Sequence, residues 1–175
     1  MKHLQRLAWI LCLSLFSMPL LAQSCNDSVL ASTPSDRFRA HADGTVTDTR
    51  TRLTWMRCAQ GMSWQGGGCG GVAAQYEWTE ATQAVRRLNG NGGYAGHSDW
   101  RLPTREELAS LVENRCIDPA INSEIFPATP PSGFWSATRD KDHERGAWLV
   151  YFLHGKGYVG NIQQEWKLRL VRDAR

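Results

Sequence analysis

The sequence predicts an α+β domain built on a mainly antiparallel sheet, with two helices packed on it and long loops between. Two observations carry this. Apolar residues alternate with period two near both ends of the chain, and helical spacing is confined to one block between them. A third observation, an even set of cysteines after the leader, implies a disulfide-tied fold.

Met1–Ser24 reads as a secretory signal: Lys2, His3 and Arg6 are followed by an apolar run over 7–16, then Pro19 and small residues before Cys25. That run is too short to span a membrane, so no transmembrane segment is expected. Lipidation of Cys25 is the alternative, but lipoprotein signals usually place Leu where Ala22 stands. The rest, 25–175, is expected to be one domain. The whole chain of 175 residues carries a formal charge of +3. Loss of Lys2 and Arg6 leaves 18 basic against 17 acidic residues. A net charge of +1 on the mature chain argues against nucleic acid as a partner.

Phe38, Val46, Leu53 and Trp55 flank the turn pair Asp43-Gly44 and predict hairpin strands. Cys58 to Gly71 is a glycine-rich loop. Cys58–Cys69 is the preferred disulfide because Gly61 and Gly66-Gly67-Gly68 let that loop close; Cys25–Cys116 is then the second. Trp78 to Leu88 predicts a helix capped by Thr79, with Ala81, Val85 and Leu88 on one face. Thr104 and Glu107 form a capping box for a second helix ending near Asn114. From Phe134 the period returns to two, predicting a four-strand meander: 134–138, 147–153, a turn at Gly155-Lys156-Gly157, 158–162, and 166–172.

No catalytic constellation is visible, and no enzyme is expected. His97-Ser98-Asp99 is contiguous, whereas a triad assembles its groups from separate elements; a turn is the better reading. Asp99, Asp118, Asn122 and Glu124 are oxygen donors in loops, but without calcium-loop spacing they read as turn formers. No cofactor and no metal are expected. The arginines are more informative, because a guanidinium fork matches paired sulfate or carboxylate oxygens. If the first and last strands pair, Arg37, Arg39, Arg139, Arg145, Lys156, Lys167, Arg169 and Arg172 could converge as a ligand-binding face. The competing reading is a solvated face interspersed with Asp43, Asp48, Asp140, Asp142, Glu144 and Glu165.

The string from Gly44 through Asp48, Trp55 and Cys58 to Gly61 resembles the opening of the Lcl C-terminal domain family, named for a collagen-like protein of Legionella. Ser98-Asp-Trp-Arg-Leu-Pro-Thr-Arg-Glu-Glu-Leu108, Asp118-Pro-Ala-Ile-Asn122, Phe126-Pro, Phe134-Trp-Ser136 and Leu168-Arg-Leu-Val-Arg172 continue it in order. The resemblance spans roughly 43–172. It implies an exported bacterial adhesion or binding module, periplasmic or at the cell surface, that recognises sulfated polysaccharide and forms homo-oligomers. The alternative is a module that docks on another envelope protein. The Trp100-Arg-Leu-Pro-Thr104 element is also similar to that of formylglycine-generating-enzyme-like proteins, which implies a C-type-lectin-like architecture. The copper-binding cysteine pair of those enzymes has no counterpart, since no Cys follows Cys116. Arg52 stands where the family usually has Gly, so a left-handed turn there would be strained.

Overall fold

The structure, a computed structural model, describes residues 23–174; the expected signal cleavage falls at the border of this range, and 1–22 lie outside it. Among the described residues, eleven short strands, two α-helices and one short 3-10 helix (Ser35–Arg37) follow one another. β1 (Ser24–Cys25) pairs antiparallel with β7 (Cys116–Ile117), and the Cys25–Cys116 disulfide ties the same two strands. β2 (Phe38–Ala40), β3 (Thr45–Asp48) and β4 (Leu53–Met56) form an antiparallel meander. The turn between β2 and β3 uses Gly44 at φ +84°, where a Cβ would strike the Tyr94 hydroxyl and the Trp64 side chain. The next turn is organised by the Asp48 carboxylate, which accepts the Arg50 amide (3.0 Å) and the Thr51 hydroxyl (2.7 Å). Arg52 does adopt the left-handed conformation there, at φ 58°.

The glycine-rich loop folds into a small hairpin, β5 (Ser63–Trp64) with β6 (Cys69–Gly70), closed by the Cys58–Cys69 disulfide. Helix α1 (Trp78–Gly90) buries Ala81, Ala84 and Val85. Its N-cap is Glu77, not Thr79, and no side chain caps it. The Trp78 amide instead donates to the Ile162 carbonyl at 3.0 Å, so a tertiary contact replaces the local cap.

Helix α2 (Arg105–Ala109) starts on the expected Thr104/Glu107 capping box but is only five residues long. It stops well before Asn114 for one local and one tertiary reason. The Ser110 hydroxyl takes the Glu107 carbonyl (2.7 Å), and Arg37 takes the Ser110 carbonyl (2.9 Å). Both compete with helical hydrogen bonds. Leu111 and Val112 still reach the core, through tighter turns.

β8 (Gly133–Arg139), β9 (Gly146–Tyr151) and β10 (Lys156–Asn161) make a three-stranded antiparallel sheet in the order β10-β9-β8. The turn after β9 falls over 152–155, earlier than the pattern suggested, with Gly155 at φ +76°. The fourth meander strand does not form. Residues 166–170 thread between the sheets, bridging Tyr76 and Phe134, and β11 (Val171–Asp173) pairs with β4 in a sheet of order β11-β4-β3-β2. The physical reason is burial on both sides. Leu168, Arg169 and Leu170 are all at 1% exposure or less, which an edge strand of a meander cannot provide.

One core lies around Trp55, Leu108, Phe126, Phe134 and Phe152; a second packs α1 against Trp100, Trp135 and Leu149. The irregular segment after β1 is held by the buried Glu113 carboxylate, which accepts the Ser32 amide (3.0 Å), the Thr33 amide (2.8 Å) and the Thr33 hydroxyl (2.9 Å). Among the described residues no helix is long and apolar enough to cross a membrane.

Burial alone would raise the Asp48, Glu107 and Glu113 carboxyls. The Arg37 pair, the Arg101 pair and the backbone amides outweigh it, and each is held below its ordinary value. A carboxyl depressed in the folded state stabilises fully above its unfolded pKa and loses that contribution as pH falls through the folded one. Thermal stability is therefore expected to hold across neutral pH and to decline below pH 4.5 (the ordinary Glu value), with a shallower slope in Glu113→Gln. At the left-handed turn, Arg52→Gly is expected to raise unfolding stability by up to about 1 kcal/mol in a denaturant titration, because Gly removes the Cβ clash.

Candidate ligand-binding groove

The register of the four-stranded sheet sets side chains in rows. Arg39 lies opposite Thr47, Thr47 opposite Thr54, and Thr54 opposite Arg172. Because alternate residues of a strand point to one face, this row runs along the face away from Val46, Trp55 and Val171, which are buried in the core. The row lines a groove of about 490 Å³, together with His41, Asp43, Thr45 and His97.

Polar contacts organise it. The His41 ring nitrogen Nε2 lies 2.9 Å from the Thr47 hydroxyl, which is 3.2 Å from the Thr54 hydroxyl. Arg172 donates from Nε and Nη2 to the two Asp99 oxygens at 2.7 and 3.2 Å. Asp43 accepts the Thr45 hydroxyl (2.7 Å) and amide (2.9 Å). Burial opposes its ionisation, but these bonds and the nearby His41 hold it below the usual carboxylate range. Arg39 is exposed and has no carboxylate within salt-bridge distance among the described residues. It is the uncompensated cation of the groove. His97 and Asp99 reach the site from the turn of the His97-Ser98-Asp99 string, where Asp99 serves Arg172.

The first hairpin and the last strand share one sheet, although β11 pairs with β4 and β2 lies at the opposite edge, and the expected basic face is not assembled as a unit. Arg39 and Arg172 come together. Arg37 is buried and spans Asp48 with Nε and Nη2, the former at 2.8 Å. Arg169 is wholly buried, where no ligand can meet it; its Nη1 donates to the Met56 carbonyl (2.9 Å) and the Arg57 carbonyl, and its Nη2 to the Thr129 hydroxyl (2.7 Å). Burial lowers its pKa to about 9, so it stays charged at neutral pH. Lys167 points its Nζ at the Ala73 carbonyl, 3.4 Å away. Arg139 donates to the Glu144 carbonyl and stands 5.0 Å from the Trp78 ring centroid. Arg145 and Lys156 are exposed on other parts of the surface, near and on β10.

His41, Thr47, Thr54 and His97 were missed as site residues. Their signal was present as alternation: Arg39 and His41, then Thr45 and Thr47, occupy one face of two paired strands. The loop oxygens Asp99, Asp118, Asn122 and Glu124 do not converge. Asn122 Oδ1 accepts the amides of Glu124 (3.1 Å) and Ile125 (3.2 Å), while Glu124 accepts the Ser35 hydroxyl (2.6 Å). Among the described residues no group of three or more His, Cys, Asp or Glu is placed to hold a metal ion.

A family model, the Lcl C-terminal domain, matches residues 44–172. No curated protein matches the chain. The matched span carries Thr47, Thr54, His97, Asp99 and Arg172, while Arg39 and His41 lie just before it.

The contrast between the internal and groove arginines is testable by thermal and denaturant unfolding. Arg169→Ala is expected to destabilise the protein by about 3 kcal/mol, through a cavity and orphaned carbonyls. Arg39→Ala is expected to leave the unfolding midpoint unchanged.

Proposed function

Since the chain belongs to the Lcl C-terminal domain family, we propose that it is an exported, non-catalytic binding module whose ligand is an anionic glycan. The observation that carries the reading is the cross-strand row Arg39–Thr47–Thr54–Arg172. It sets an exposed guanidinium, with no carboxylate within salt-bridge distance among the described residues, beside two hydroxyls and the imidazoles of His41 and His97 in one groove. A sulfate or carboxylate is complementary to such a set: the guanidinium fork takes two oxygens and the hydroxyls donate to the rest. Arg172, already neutralised by Asp99, positions rather than attracts. The two disulfides support a periplasmic or cell-surface location. The pairing of β11 with the N-terminal hairpin supports a C-type-lectin-like arrangement.

The test is retention of the folded protein on immobilised heparin, a sulfated polysaccharide, at neutral pH. Binding is expected to weaken with salt, since exposed charges are screened, and Arg39→Ala is expected to weaken it about tenfold. Flow-through at low salt, or an Arg39→Ala variant eluting with the parent, overturns the glycan reading. Recovery of an envelope protein instead would then favour the docking alternative.

A further inference from the structure

The three-stranded sheet leaves one edge open. The outer side of β8 is taken by the threading segment: the Trp135 amide donates to the Lys167 carbonyl (2.9 Å) and the Lys167 amide to the Gly133 carbonyl (3.0 Å). In the other large sheet, β11 is bordered by Arg101, whose amide and carbonyl pair with Val171, and β2 is only three residues long. β10 runs for six residues, and among the described residues no strand lies on its outer side.

Alternation along the sheet identifies the backbone groups that face outward. In β9 the Gly146 and Trp148 carbonyls point to the β8 side, where they accept the Asp140 amide (3.0 Å) and the Ser136 hydroxyl (2.7 Å). The backbone groups of Ala147 and Leu149 therefore face β10, opposite Gly160 and Tyr158. Those of Gly157, Val159 and Asn161 turn away from the sheet. Asn161 is met there by Gln164, whose Oε1 accepts the Asn161 amide (3.0 Å) and whose own amide donates to the Asn161 carbonyl (2.8 Å). Gly157 and Val159 have no such partner among the described residues. An exposed strand with two outward N–H and C=O pairs in succession is a template for another extended chain.

The two faces of β10 border separate hollows. On the face of Tyr158 and Gly160, a hollow of about 270 Å³ is lined by Leu149, Tyr151, Tyr158 and Trp166. Its rings stand upright to one another, Tyr151 at 86° to Tyr158 and 83° to Trp166. On the face of Val159 and Asn161, a hollow of about 360 Å³ takes in His143, Arg145 and Gly146. Tyr158 and Val159 are 44% and 39% exposed. A strand laid along β10 sends alternate side chains to opposite faces, so one set meets the rings and the other meets Arg145. Arg145 and Lys156 are exposed with no carboxylate within salt-bridge distance among the described residues. β10 itself contains no acid, so the same strand of a second copy would bring no carboxylate to these cations. A chain carrying acidic residues is the complementary one.

We propose that the β10 edge is a docking site for an extended acidic segment of a partner protein. The segment adds a strand beside Gly157 and Val159, with apolar side chains toward the aromatic hollow and carboxylates toward Arg145. In strand addition the backbone bonds give affinity and the pockets for alternate side chains give specificity. The edge uses none of the groove residues and does not rest on the glycan reading.

The probe is the peptide acetyl-Glu-Phe-Glu-Phe-Glu-amide, titrated into the disulfide-intact, isotope-labelled protein and followed by amide chemical shifts and hydrogen exchange. The Gly157 and Val159 amides are expected to shift and to exchange more slowly, and those of Arg39 and Thr47 to stay unchanged. Val159→Pro removes an outward N–H without touching the β9 ladder, and is expected to weaken binding about tenfold. Two N-methylated peptides test the edge on the parent protein, whatever the fold of that variant. Methylation of the Phe nitrogens or of the Glu nitrogens is expected to abolish binding in one case and spare it in the other, since only alternate amides face the neighbouring strand. Arg145→Ala is expected to weaken the peptide, and the Lys-for-Glu peptide is expected not to bind. No change at Gly157 and Val159, or equal binding by both N-methylated peptides, overturns the proposal. A parent protein that is dimeric by light scattering and monomeric as Val159→Pro assigns the edge to a second copy and also overturns it.

Discussion

A positive charge enclosed with no carboxylate partner among the described residues sets the geometry of this domain. The Arg169 guanidinium is inside, and its acceptors are the carbonyls of Met56 and Arg57 and the hydroxyl of Thr129. The faces of Phe126 and Phe134 lie 4.8 and 5.8 Å from it. An enclosed cation is tolerated only where acceptors are fixed in advance. Here they come from the end of β4 and from the loop before β8, so 168–170 must run between the two larger sheets. The next three residues then fall beside β4 as β11, and Arg172 is delivered to the row that already holds Thr54, Thr47 and Arg39. The groove follows from the threading.

The same logic explains why arginine number is a poor guide to surface charge in this chain. Arg37 is spent on Asp48, Arg101 on Glu107 and Asp173, and Arg172 on Asp99. Arg57 holds the carbonyls of Ile125 and Glu124 and stacks 4.3 Å from the Trp64 ring centroid. Arg105 stacks 3.6 Å from the Trp148 ring centroid. Guanidinium is planar and rich in donors, so it serves as a cross-link in a small domain with many loops. Arg39, Arg50, Arg52, Arg86, Arg87, Arg145 and Lys156 stay exposed at separate places, with no carboxylate within salt-bridge distance among the described residues.

The carboxylates act in the complementary way. Asp48, Glu107 and Glu113 each gather backbone amides as well as a cation or hydroxyl. Each holds a turn or an irregular segment that has no ladder of its own. Glu107 does this twice, closing the capping box of α2 and gripping Arg101 at 2.7 and 2.9 Å. The loop that carries His97 and Asp99 is held differently, by the Tyr94–His97 backbone pair and by the Asn89 side chain on the Trp100 amide and carbonyl.

What was legible in the sequence was local. The capping box, the Asp43-Gly44 turn, the closure of Cys58 on Cys69 and the period-two blocks up to β10 each depend on residues near one another in the chain, and these formed. The family followed from several such motifs in order. What failed depended on distant partners. The cap of α1 is the Ile162 carbonyl, α2 is cut short by Arg37, and the last strand left the expected meander for β4. The candidate site was half legible: Arg39 and Arg172 could be named, but Arg37 and Arg169 could not be told from them. A guanidinium looks the same in sequence whether it faces water or a ring of carbonyls. Only the packing of segments over a hundred residues apart decides which carbonyls are there to receive it.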